Sequence, residues 1–425
     1  MAETRQHLQV VALVALAALA ATPAAAQYRA AGSDLELIPN RKQQLEKAVE
    51  QARWSLGAIR ISPWLGVRDV TYVRELDPQT GERQRGDLTA TAGAGLKAYL
   101  PLGEHVIAAA HALPEYTWWQ RQKERNAAVG HYGLGIFSWF NRLEGEITAR
   151  RVEAVEFASP DLLVREPIRS DEAAASTQVR LFGSLALFAG GSASRVRVDA
   201  TPSLTPVDPS LLLDRDATRV RGGLRYLLRG DRGYIGAGVL RERTQFQGLD
   251  AVRSNKGSSW YAESALRGNH LDLTAQYDQR DLEADDSSFP GYRAGNGHAA
   301  LTLHPGWRLL YQLYGRRELL YSALDAGRYL EEQRAGAGVR FALGSGGLQL
   351  FYEVGDNRFF GNTLGAPNES VTARGAWLDF HLLRHIAARI GGRITRFEPD
   401  GGGQPREIRE INGSLALTLG QPGEW

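Results

Sequence analysis

From Gly57 onward the chain is a succession of alternating apolar and polar segments, each about 10 to 17 residues long, the pattern of strands with one apolar face. Gly268–Leu282 shows it most clearly. Leu271, Leu273, Ala275 and Tyr277 fall on one side of an extended chain, and Asp272, Thr274, Gln276, Asp278 and Arg280 on the other. The same split sets Leu88, Ala90, Ala92, Ala94 and Leu96 against Thr89, Thr91, Gly93, Gly95 and Lys97. It also sets Val220, Leu224 and Tyr226 against Arg221 and Arg225. Many segments become highly charged at one end, as in VLRERTQ, YDQRDLEAD, YGRREL and RYLEEQR.

Two classes of connection alternate. The short ones are expected at Leu102-Gly103, Asn141-Arg142, Gly190-Gly191, Gly230-Asp231, Gly268-Asn269, Pro305-Gly306, Gly344–Gly347 and Arg384-His385. The long ones are expected near Leu76–Gly86, Trp119–Arg125, Ser159–Ser170, Thr201–Leu212, Gln247–Lys256, Asp281–Gly291, Ser322–Arg328, Phe359–Glu369 and Pro399–Arg406. Together they join about eighteen strands, with every tight turn at one end and every long loop at the other. The aromatics Tyr99, Trp139, Phe140, Phe188, Trp307, Trp118 and Trp119 recur near turns and segment ends, where an interfacial girdle would lie.

The N-terminus reads differently. Arg5 precedes the apolar run Leu8–Ala21, and Thr22–Ala26 offers a small-residue cleavage site, so residues 1–26 read as a secretory signal peptide. Within residues 27–56, Asn40 caps a short helix over about Arg41–Arg53, with Leu45, Ala48, Val49 and Ala52 in one narrow stripe. This helix either packs at the mouth of the main domain or plugs a pore. The first is favoured, because one short helix fills only a narrow lumen.

Composition adds little about partners. The net charge is +2, which gives no electrostatic instruction about partners, and no nucleic-acid partner is expected. Only five of the 50 basic residues are lysine, so any basic surface is built from guanidinium groups. The chain has no cysteine, which excludes disulfides, thiol nucleophiles and zinc–thiolate sites.

These features resemble Gram-negative outer-membrane β-barrel proteins over residues 57–425, and within them porin-like and exopolysaccharide-export barrels. The resemblance implies an all-β transmembrane antiparallel up-and-down barrel in the outer membrane, with the helix on the periplasmic side. It implies contact with outer-membrane lipid and lipopolysaccharide, and delivery by the barrel-assembly machinery, which reads an aromatic last residue such as Trp425. Here Gln421–Glu424 interrupt the alternation of Leu415, Leu417 and Leu419 before that residue.

The residues expected to line the lumen are Arg60, Arg68, Lys97, Arg180, Arg197, Arg221, Arg225, Asp272, Arg316, Glu353, Asp379, Arg389 and Arg393, with Arg195 and Tyr132, Tyr261 and Tyr314 as further candidates. They brace a barrel wall, select anionic solutes, or do both. The expected function is passive passage of hydrophilic or anionic solutes, or of a polysaccharide. A non-conducting structural or adhesive barrel is the alternative. An outer-membrane lipid hydrolase using Asp379 and His381 is a weaker one, since no serine is tied to them by spacing. Gly93–Ala98 formally matches a dinucleotide fingerprint, but a turn follows it instead of a helix. No cofactor, metal site or catalytic residue is expected.

Overall fold

The computed structural model describes residues 31–32, 41–74, 86–161, 165–199, 208, 210–228, 232–306, 308–323, 328–361, 368–383, 386–402 and 404–418. The signal-peptide segment, the tight turns at Gly230-Asp231 and Arg384-His385, and the terminal run to Trp425 lie outside them.

Helix α1 spans Arg41–Gln51 and leads into the short strand β1, Trp54–Leu56. The strands that follow are β2 Ile59–Arg74, β3 Asp87–Pro101, β4 Val106–Trp119, β5 Ala127–Trp139, β6 Leu143–Phe157 and β7 Arg165–Phe182. Next come β8 Leu185–Val198, the one-turn helix α2 Ser210–Leu213, β9 Arg215–Leu227, β10 Gly233–Phe246, β11 Asn255–Arg267 and β12 Leu271–Ala284. The chain ends with β13 Tyr292–Gly306, β14 Leu309–Tyr321, β15 Arg328–Leu343, β16 Gly346–Gly361, β17 Glu369–Leu383, β18 Ile386–Pro399 and β19 Arg406–Thr418.

Each strand from β2 to β19 pairs antiparallel with its sequence neighbour, and β19 pairs back onto β2. The sheet is therefore a closed eighteen-stranded up-and-down barrel, to which β1 adds a short hairpin on β2. Closure leaves no unpaired edge, the condition for a sheet to stand in lipid. All described tight turns lie at one end and the long loops at the other.

Two tight turns differ from expectation. Gly190-Gly191 lies inside β8, and the β7–β8 turn is made instead at Gly183-Ser184. Gly183 has φ +54°, the left-handed conformation that a two-residue hairpin needs, which a pair of strand glycines does not by itself announce. Pro305-Gly306 likewise still belongs to β13, because Gly306 pairs with Leu309. Two long connections are shorter than expected: β7 begins at Arg165, paired with Phe157, and β12 runs to Ala284.

The alternation divides outside from inside. Leu65, Leu96, Leu134, Ile136, Ile147, Leu187, Val220, Leu224, Val239, Leu313, Leu350, Ile390 and Ile411 are exposed on the outer face, while their strand neighbours turn inward. Leu271 and Tyr277 on β12 face out with them, and Asp278 is buried inside. This band suits the hydrocarbon layer of a bilayer. Leu134, 63% exposed, sits near the middle of β5. Leu134→Arg is expected to cost about 2–4 kcal/mol of folding stability in lipid vesicles, read by denaturant titration.

Of the aromatics expected in the girdle, Phe140 and Trp118 face outward, Trp307 lies outside the described residues, and the others turn inward. Tyr99, Trp119 and Phe188 are buried on the inner side, and Trp139 packs there too. Outward aromatics toward the long-loop end are Tyr116, Trp118, Trp260 and Tyr277, the last two with ring centroids 5.3 Å apart. Toward the tight turns they are Phe140, Tyr226, Tyr311 and Phe341. Proximity to a turn places a ring along the barrel axis, but only strand parity decides which side of the wall it faces.

Candidate functional site: the barrel lumen

The inner wall is a lattice of ion pairs. On β14–β16, Arg316 and Arg334 stand directly opposite each other. Two arginines facing across a ladder would repel, and two acids resolve this. Glu332 takes Arg316 at 2.9 Å and Arg334 at 3.0 Å, and Glu353 lies 3.9 and 3.7 Å from the same pair. Tyr314 donates its hydroxyl to Glu353 at 2.6 Å. All four charged side chains are almost wholly buried.

A quarter of the way round, Arg225 pairs with Glu263 at 2.6 Å and donates to Gln178 at 2.9 Å. Its guanidinium lies between the rings of Phe188, 3.9 Å, and Tyr234, 4.3 Å, with Arg221 4.7 Å from Phe188. Arg68 grips Glu115 with two N–H groups at 2.8 and 2.6 Å and Asp69 with a third at 2.6 Å. Asp69 has φ +52° within a bulge that shifts the β2–β3 register between Arg68 and Thr71, which aspartate tolerates better than most residues. Arg393 and Arg165 both reach Glu410, Arg389 meets Asp379 at 2.6 Å, and His304 meets Asp272 at 3.0 Å.

Of the candidate lining residues, Arg68, Lys97, Arg221, Arg225, Asp272, Arg316, Glu353, Asp379, Arg389 and Arg393 share the inward registers of their strands. Arg60 and Arg180 share them too, but at the exposed tight-turn rim. Arg197 does not. It lies on the outer register of β8 with Arg195 and Leu187, and both arginines pair with Asp216. A turn at Gly190-Gly191 would have reset the parity of the residues after it. With those glycines inside a continuous strand, Phe188 and Val196 turn inward and the arginines outward. Tyr132 also faces out, beside Leu134, whereas Tyr261 and Tyr314 are buried inside. Glu115, Glu263, Glu332, Arg334 and Glu410 escaped the sequence reading. Glu332 and Arg334 lie in RYLEEQR, which reads as a strand extension beyond the band, yet each continues the inward parity of Gly336 and Gly338.

Asp379 and His381 are not a working pair. Asp379 is held by Arg389, and the His381 imidazole sits 2.7 Å from the Ser345 carbonyl at a tight turn. Among the described residues, no cluster of three His, Asp or Glu suits a metal ion.

The long-loop mouth is bridged. Asp161, after β6, accepts from the Ser322 hydroxyl at 2.6 Å and the Ala323 N–H at 3.1 Å, both beyond β14. Ser159 donates to Asp161 and reaches the Tyr321 carbonyl at 3.2 Å. Since β6 and β14 stand eight strands apart in a ring of eighteen, these bonds cross the mouth. Arg253, from the β10–β11 loop, donates to the Ser322 carbonyl at 2.9 Å and to the Leu212 carbonyl. Burial pushes its guanidinium down to about 10. Beneath these bonds lies the largest apolar cluster among the described residues, which joins Ile168, Val196 and Phe246 to Leu212, Leu213, Phe289, Tyr321 and Tyr329.

To one side of this lid a cavity of about 640 Å³ remains, between β2–β7 and β16–β19. Arg68, Arg165, Arg389 and Arg393 line it with only Asp69 and Glu156 as acids, along with Trp119, Phe157 and Trp377.

No family model matches the sequence, and no curated protein resembles it closely enough to be a relative. Solved structures do resemble it. Pseudomonas aeruginosa OccK2 (OpdF) in complex with glucuronate matches with TM-score 0.51 at 10% identity, covering 85% of this chain and 98% of that one. A BenF-like porin from Pseudomonas fluorescens Pf-5 matches with the same score, identity and coverage. Acinetobacter baumannii OccAB3 matches with TM-score 0.50 at 10% identity, over 84% and 98% of the two chains. The chain has the fold of an outer-membrane porin. At this identity the likeness concerns the barrel and not the residues inside it.

Proposed function

We propose that the protein is a passive channel of the Gram-negative outer membrane for small anionic, carboxylate-bearing solutes. The observation that carries this is the off-centre cavity, in which four arginines face two acids. Each arginine is oriented from behind: Arg68 by Glu115, Arg165 and Arg393 by Glu410, Arg389 by Asp379. A guanidinium carries five N–H donors, so one held by a carboxylate still offers donors to a passing anion, and its planar fork suits a carboxylate. A structural neighbour holds glucuronate, a sugar acid, which supports this chemical class here. The tight-turn end, whose mouth α1 occupies, then faces the periplasm, and the apolar band contacts outer-membrane lipid. Covalent chemistry has no place in this reading. The bridged mouth favours small solutes over a polysaccharide chain. It equally favours the second reading, a non-conducting barrel.

Planar-bilayer recording separates these. Arg389 is 41% exposed and its partner Asp379 keeps Arg340 at 3.8 Å, so Arg389→Gln should leave the barrel folded. The expected result is a several-fold fall in the anion-to-cation permeability ratio, read from the reversal potential in a salt gradient. A purified, folded barrel that never passes current would leave the non-conducting reading in its place.

A further inference from the structure

The inner wall already holds a ligand, and it is part of the same chain. The stripe of α1 is buried against residues that face the lumen. Leu45, 0% exposed, packs on Tyr99, Ile107, Ala109 and Phe137, with Ala48, Val49 and Trp139 beside it. These positions lie next to the tight turns, so the helix sits inside the barrel's tight-turn mouth rather than below it. Deeper in, Ala31 is buried among Tyr314, Phe351 and Ala373, with Trp377 alongside. Its carbonyl accepts from Arg393 at 3.3 Å, and the next N–H, of Gly32, donates to Glu353 at 3.3 Å. Arg393 and Glu353 thus read one acceptor and one donor of a peptide backbone, as a site for a peptide would. Gly32 has φ +80°, and a Cβ there would come within 3.0 Å of both the Phe351 and Trp377 rings. A glycine at this point is what lets the backbone lie flat on the aromatic pair.

From this we propose that residues 31–32 and α1 form an internal, displaceable plug, and that Arg393 is shared between the plug and the solute. Ala31 and Gly32 line the same cavity as Arg68 and Arg389. An anion that binds Arg393 through Nη1 meets the Ala31 carbonyl on the same nitrogen and competes with it there, so solute binding and plug release are competing events at one guanidinium. This rests on the channel reading, since a plug matters only in a barrel that conducts.

The test uses the mature full-length chain, whose lack of cysteine makes engineered pairs unambiguous. Ala31 and Ala373 share one buried cluster, so Ala31→Cys with Ala373→Cys should form a disulfide on oxidation, seen as a shift between reduced and non-reduced gels of the folded barrel. Oxidised channels should show lower conductance than the same channels after a thiol reductant. Gly32→Val, and separately Leu45→Asp, should free the plug and raise conductance several-fold. Both variants alter an inserted segment and not the barrel wall, and heat-modifiable gel mobility checks that the barrel has folded. If the disulfide fails to form and both variants conduct as the parent does, the plug proposal falls while the channel stands. If the disulfide forms and no species conducts, the channel reading falls and takes the gating role with it.

Discussion

Replacing Ser322–Arg328 by Asn-Gly is expected to open the long-loop mouth and raise single-channel conductance several-fold. Tyr321 and Tyr329 are directly paired, which is the geometry a two-residue hairpin turn closes, so the shortened hairpin keeps its ladder. What it loses is the Ser322 hydroxyl and the Ala323 N–H on Asp161, and the Ser322 carbonyl on Arg253. The Ser159 hydroxyl on the Tyr321 carbonyl is a further tie between the β6 and β14 ends, and the shortened hairpin keeps it. Asp161→Ala should act in the same direction but less strongly. It leaves the apolar cluster of Tyr321, Tyr329, Phe246 and Phe289 in place and removes only the polar latch, so it should appear as frequent brief openings rather than as a higher steady level. If the shortened hairpin conducts no better than the parent, the lid is not the limiting constriction, and the plug at the opposite end becomes the principal barrier.

The largest stability effect is expected at Glu353. Glu353→Ala removes the hydroxyl acceptor of Tyr314 and one of the two acids that separate Arg316 from Arg334. Glu332 then remains as the acid bonded to both buried guanidinium groups. Breaking a buried ion network by deleting one member costs about 3–5 kcal/mol, because the charge left behind has lost its solvent and gained nothing. The measurement is a denaturant titration of the barrel in detergent or vesicles. A second variant tests the cause. Replacing Arg316, Arg334, Glu332 and Glu353 together by apolar residues of similar size removes the uncompensated charge, and should recover much of the loss. If that variant is as unstable as Glu353→Ala, the cost comes from packing or from the Tyr314 hydroxyl rather than from charge.

Most of the wall could be derived from local information. Alternation with period two assigns Leu271 to one face and Asp272 to the other whatever the rest of the chain does. The alternation of tight and long connections then implies an even, closed, up-and-down ring, and the eighteen strands follow from counting them. Local alternation misleads where parity has to be carried through a turn: a turn at Gly190-Gly191 would put Arg195 and Arg197 inside, whereas the turn at Gly183-Ser184 puts them outside, and the register of β5 puts Tyr132 there too. The lumen's working parts were beyond reach for a different reason. The Asp161–Ser322 latch joins residues 161 positions apart, and the Arg393–Ala31 contact joins residues 362 apart. Strand periodicity says which way a side chain points, but it carries no information about what meets it across an open lumen. The sequence by itself therefore determined a barrel with an apolar outside and an arginine-rich inside. Only the tertiary structure decided what crosses and enters the inside, because closing the ring brings loops from opposite walls within hydrogen-bonding distance of each other, and the chain's own N-terminal segment within reach of the inner wall.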